Sequence, residues 1–153
     1  MSTNLKTVSN HVERNTDPAA FAHWPDGFYE EMLAGLENGC VGSTLVSETA
    51  DMRVWHLIIP VGGRAGFHCH VNRYFWSAVA SGKARGYFSS GEIKDVEHYV
   101  GETKHYNYGA GESMVHSVEN IGDTELSFVT VEFLDGENPA WPIPDDMRLK
   151  TPA

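Results

Sequence analysis

The sequence predicts an all-β domain, an antiparallel jelly-roll barrel preceded by a short helix, and three observations carry that reading. From residue 42 onward the chain runs in short segments rich in Val, Ile, Phe, Tyr and Trp, residue types that fit a pleated, half-buried surface. Gly, Asn, Asp and Ser punctuate those segments at Gly62-Gly63, Ser81-Gly82, Ser89-Ser90-Gly91 and Ile121-Gly122-Asp123, which is the chemistry of tight turns. Nine such segments follow one another with no helical period between them, the pattern of a sandwich or barrel.

The expected strands are 43–48, 52–59, 66–70, 73–80, 83–88, 94–99, 103–108, 113–119 and 125–134. Ahead of them, residues 1–25 form a polar arm without sustained periodicity. Residues 26–38 then place Phe28, Met32, Leu33 and Leu36 on one helical face, with Gly35 and Gly39 keeping that helix short. From Asp135 the chain carries four of its seven prolines, so an irregular tail is expected, packed on the barrel through Trp141 and Ile143. The organisation is a single domain: arm and helix over 1–41, barrel over 42–135, tail over 136–153.

A chain of 153 residues with 41% hydrophobic content can fill one sizeable core. Eleven Lys plus Arg against twenty-one Asp plus Glu give a net charge of −10, which disfavours nucleic acid and anionic membrane surfaces as partners. No stretch approaches the roughly 20 apolar residues of a membrane span and no leader pattern is read, so a cytoplasmic location is expected. Cys40 and Cys69 are read as reduced thiols.

The chemistry concentrates in the segment GGRAGFHCHVNRYFW. Side chains alternate faces along a strand, so His68 and His70 project together while Cys69 points the other way. Two imidazoles on an apolar wall are costly unless their nitrogens are used, and a metal uses both. His116, inside a later strand, is the best third donor. If the alternation persists past Asn72, Tyr74 and Trp76 face the same interior. Tyr74 is then a candidate catalytic hydroxyl, with core packing as its competing role. Arg85, Arg53 and Trp76 are the candidate substrate contacts. Arg85 is preferred among the arginines for pairing with a carboxylate, and core packing competes for Trp76. His56, His98 and His105 are read as surface or packing residues.

These motifs resemble those of the cupins. Gly62, five residues, His68-Cys69-His70 and the closing Gly82 are similar to the family's first motif, and His116, three residues, Asn120 with the turn Gly122-Asp123 to the end of its second. The resemblance implies a double-stranded β-helix, often dimeric, with a metal at the barrel centre. A homodimer acting on a small molecule is therefore expected.

Two departures refine the expectation. Tyr74 and Phe75 stand where the family's first motif usually has a Glu, and Gly111-Glu112-Ser113 replaces the usual Pro-x-Gly before His116. The implied ligand set is three neutral histidines, similar to that of the thiol and β-diketone dioxygenase branches, with Fe(II) first and Mn(II), Ni(II) or Zn(II) behind it. Glu112 is the one carboxylate placed to add a donor or a catalytic group. The spacing His68, His70, Tyr74, Trp76 also resembles small bacterial cupins associated with β-alanine degradation; dimethylsulfoniopropionate lyases of the cupin class are a more distant likeness. The expected activity is dioxygenation or lyase chemistry on a small, carboxylate-bearing metabolite. The alternative is a non-catalytic, metal-dependent binding module.

Overall fold

A computed structural model describes residues 8–152; the first seven residues of the arm and Ala153 lie outside the described residues. Nine strands form: β1 (Thr44–Glu48), β2 (Met52–Ile59), β3 (Arg64–His70), β4 (Tyr74–Ala78), β5 (Gly82–Phe88), β6 (Ile93–His98), β7 (Thr103–Tyr106), β8 (Met114–Asn120) and β9 (Leu126–Phe133). They build two antiparallel sheets, in the orders β1-β2-β9-β4-β7 and β3-β8-β5-β6. The chain crosses repeatedly from one sheet to the other, which is the jelly-roll arrangement the turn spacing predicted.

Strand ends differ from expectation where backbone groups find other partners. β7 stops at Tyr106 because the arm claims the next residue: Asn10 N donates to Asn107 O at 2.9 Å, and Asn107 N donates to the Asn10 side chain at 2.9 Å. The arm also contains a 3-10 turn, Pro18–Phe21, that its polar texture did not suggest. Asp17 caps it by accepting from Ala19 N at 3.0 Å, and Pro18 stands at the start, where a missing N–H costs nothing.

The expected helix is α1 (Phe28–Ala34), with Met32 fully buried. It ends at Gly35 because the chain there presses on β3: a Cβ on Gly35 would lie 2.5 Å from the Phe67 carbonyl oxygen. Arg64 ties the helix to the barrel. Its guanidinium donates to both Glu31 oxygens at 2.6 and 2.7 Å and to Ser117 Oγ at 2.7 Å, while lying 4.0 Å over the Phe28 ring.

The sheet that carries β3 is thereby packed on both faces. Its outer face presents Phe67, Cys69, Tyr87 and Val115 to Phe21, Trp24 and Met32 of the arm and helix. Inside the barrel, Ile59, Ala78, Ala84, Leu126 and Phe128 form a separate cluster. Trp141 of the tail packs against the outer cluster, and Ile143 and Met147 against a third one around Trp55. Among the described residues no helix is long and apolar enough to cross a membrane.

Candidate metal centre

The site begins with an irregularity in β3. Its pairing with β8 shifts between Ala65 and His68, and a bulge of this kind re-aims the side chains beyond it. Ala65 packs inside the barrel and Phe67 outside it. From His68 the alternation resumes with His68 and His70 inward and Cys69 outward. β8 then supplies His116 directly opposite His68.

The ligand-capable atoms of the three histidines lie within 4.8 Å of one another. His68 Nδ1 is 2.8 Å from Gly66 O. A carbonyl only accepts, so Nδ1 carries the proton and Nε2 keeps its lone pair for the site. His70 Nε2 and His116 Nε2 are 3.2 Å apart. Two nitrogens bound about 2.1 Å from one ion sit roughly 3.0–3.4 Å apart when adjacent in octahedral or tetrahedral geometry, so this pair is already spaced for a shared ion. Burial pushes His68 down to about 4. Burial also holds His70 and His116 well below the usual histidine range, and the neighbouring imidazoles add to it. The three rings are neutral at pH 7, as ligands must be, and the donor set fits a divalent transition ion.

Tyr74 faces the interior but is locked in place. Its ring lies flat on His70 at 4.1 Å, and Tyr106 stacks on its other side at 4.5 Å. Burial raises its hydroxyl well above the usual tyrosine range, so the phenol stays protonated. Trp76 lines the same interior and donates from Nε1 to the Tyr106 hydroxyl at 3.3 Å. Together these residues wall a cavity of about 350 Å³ with the three histidines at its floor. Val12 of the arm, Phe88, Val118 and Phe128 contribute apolar wall.

Three other expected site residues are not brought here. Arg85 leaves the barrel on the opposite face from its cavity-lining neighbours Ala84 and Gly86, and forms a two-pronged pair with Asp95 at 2.7 and 2.9 Å. Arg53 is buried, but Glu48 and the Trp141 carbonyl occupy its guanidinium at 2.7 and 2.9 Å. Glu112 fastens a loop, accepting from Gly109 N at 2.6 Å and from Ser9 Oγ at 2.9 Å. A carboxylate so engaged is not a metal donor.

The structure adds residues that were not expected at the site, among them His98, which the sequence reading left as a surface or packing residue. His98 lines the cavity wall, 5.2 Å from Trp76 and 5.0 Å from Phe128, with Nδ1 2.7 Å from Glu102. Lys94 and Lys104 line the cavity from edge strands β6 and β7. The alternation Lys94, Val96, His98 was visible in the sequence, but which face turned inward depends on pairing with β5. Glu132 is a buried carboxylate on β9 that accepts from Trp55 Nε1 at 2.7 Å and Asn72 Nδ2 at 3.1 Å.

Comparison with solved structures finds similar domains. A cupin domain from Bordetella pertussis superposes with a TM-score of 0.53 at 23% identity, over 59% of this chain and 88% of that one. A conserved protein with a double-stranded β-helix domain from Klebsiella pneumoniae gives 0.46 at 24% identity, over 57% and 66%. An RmlC-like cupin family protein from Methanocaldococcus jannaschii gives 0.46 at 15% identity, over 61% and 83%. No family profile matches the chain, and no curated protein matches it in sequence. The chain has the cupin fold, the double-stranded β-helix. Within that class it carries a three-histidine group suited to a divalent metal.

Proposed function

We propose that this chain is a metal-dependent cupin enzyme acting on a small carboxylate-bearing metabolite, by dioxygenation or by lyase chemistry. Fe(II) stands ahead of Mn(II), Ni(II) and Zn(II) as its ion. The observation that carries the reading is the convergence of His68, His70 and His116, all neutral, at the floor of an aromatic-walled cavity.

His68, His70 and His116 would hold the ion. Without a carboxylate among its ligands, a divalent metal keeps its full charge and open positions, and supplies Lewis acidity to a substrate that chelates it. The remaining work falls to the chain itself. Trp76, Phe88, Val118 and Phe128 present apolar surface around the three histidines, which strengthens polar interactions beside it. Tyr74 keeps its proton and holds the His70 ring in one plane.

Elemental analysis of the purified and reconstituted protein, beside a His68→Ala/His116→Ala variant, tests the reading. It is followed by aerobic and anaerobic screens with thiols, diketones, β-amino acids and sulfonium acids. Near-stoichiometric iron that the variant loses directs the screen to oxygen chemistry, and manganese, nickel or zinc directs it to elimination. No metal after reconstitution overturns the proposal. A metal-dependent binding module is the second reading, favoured by one observation: the hydroxyl stacked on the histidine group, Tyr74, is kept protonated and so offers no base. Saturable binding without product would support it.

A further inference from the structure

β6 pairs with β5 and β7 pairs with β4, and neither strand has a second neighbour among the described residues. Their inward residues nevertheless reach solvent. Lys94 and Val96 of β6 and Lys104 of β7 line the cavity and are exposed. The cavity therefore opens between these two free edges, and a lysine stands on each.

The charge at this opening is opposite to that of the molecule. The chain carries −10 overall and has five lysines in all, yet two of them line this one cavity. Against them stands a single carboxylate, Glu92, which meets Lys94 only loosely at 3.8 Å. Lys104 has no carboxylate within ion-pair distance among the described residues. Two exposed, weakly partnered ammonium groups lining one cavity leave their charge available to a counter-anion, and strongly hydrated point charges of this kind suit a carboxylate arriving from solvent.

The rim also stands close to the histidines. Lys94 Nζ lies 5.5 Å from the Phe88 ring centre, and that ring lies 5.5 Å from His116. One aromatic ring separates the cation from the ligand group. A substrate seated on the metal with one end therefore meets Lys94 after a chain of only a few carbons.

We infer that Lys94 and Lys104 form a cationic rim that selects short-chain diacids, one carboxylate held at the rim while the other end of the molecule reaches the three-histidine centre. The inference rests on the metal-centre reading and names the substrate class for it. Arg85, the residue that sequence reasoning preferred for this task, faces away and is neutralised by Asp95.

The test is calorimetric titration of metal-reconstituted wild type and a Lys94→Gln/Lys104→Gln variant with succinate and glutarate, and with butyrate and pentanoate as singly charged counterparts of equal length. Both lysines are exposed, and the variant's unfolding midpoint confirms that it folds. The expected result is binding of the diacids to wild type about ten-fold or more tighter than the monoacids. The variant is expected to lose that preference while keeping wild-type metal content. Equal affinity for diacids and monoacids in wild type, or an unchanged preference in the variant, overturns the rim and leaves the metal centre standing. A wild type that takes up no metal overturns the underlying reading instead, and elemental analysis reveals this before any acid is added.

Discussion

The ring of Tyr74 lies flat against His70, with centroids 4.1 Å apart and planes 11° from parallel. His70 Nδ1 is buried and has no hydrogen-bond partner, so the usual means of fixing a ligating imidazole, a bond to its second nitrogen, is replaced by a stacked face. Tyr74→Phe is expected to keep metal affinity within about two-fold of wild type, because the stack survives. Tyr74→Ala is expected to weaken it about ten-fold or more and to destabilise the fold by about 3–5 kcal/mol through the cavity it leaves. Competition against a chelator and thermal unfolding measure the two effects; a Phe variant as damaged as the Ala variant would give the hydroxyl the role assigned here to the ring.

The buried histidines make the metal-free protein sensitive to acid. His68 titrates near 4 in the fold, against its ordinary value of 6.5. Between those values the unfolded chain binds protons that the folded chain refuses, so stability falls as pH drops from about 6.5 to 4 and is fully retained above that window. His70 and His116 are shifted in the same direction. Denaturant midpoints across this range should fall more steeply for wild type than for His68→Gln. Metal uptake at pH 7 should release no protons from the imidazoles, which a weakly buffered titration reports.

Glu132 acts with the opposite sign. Burial raises its carboxyl above the ordinary 4.5, partly offset by the donors Asn72 and Trp55. The folded state holds its proton longer than the unfolded chain does, so this group subtracts stability as pH rises through that interval. Glu132→Ala leaves the Trp55 and Asn72 donors buried and unpaired, at a cost of about 2–4 kcal/mol. Glu132→Gln keeps one acceptor, costs less, and should flatten the pH profile; chemical unfolding of both variants at several pH values decides it.

Gly35→Ala is expected to destabilise by about 1–3 kcal/mol, since its Cβ would meet the Phe67 backbone at 2.5 and 3.0 Å. Arg64→Ala should cost about 2 kcal/mol by releasing α1 from its ion pair and from the Phe28 ring. Equilibrium denaturation reports both. A Gly35→Ala protein as stable as wild type would mean that the helix can lift from β3 without loss.

The strand pattern was legible because each strand is bounded by turn residues and enriched in β-formers, signals that are local. His68 and His70 were legible for the same reason: two residues apart on one strand, they share a face whatever the partner. Tyr74 and Trp76 face the cavity too, although strict alternation does not carry across residues 71–73, where the chain leaves one sheet for the other. The fates of Arg85, Arg53 and Glu112 were decided by Asp95, Glu48 with the Trp141 carbonyl, and Gly109 with Ser9. Of these partners Gly109 and Glu48 lie near in sequence, three and five residues away, and the others are more distant; nothing in the spacing marks any of them. The stacking of Tyr106 on Tyr74 depends on the β4–β7 register, which no local signal in the sequence gives.

The two faces of β3 also divide the molecule for anyone wishing to alter it. Phe67 and Cys69 are glued to the arm and helix, while His68 and His70 face a separate chamber. Anchorage and reactivity therefore occupy alternate positions of one short segment. Randomising the chamber side at the exposed Val96 leaves both the anchored side and the interior cluster untouched, so new specificities can be sought there without re-engineering what keeps the scaffold assembled.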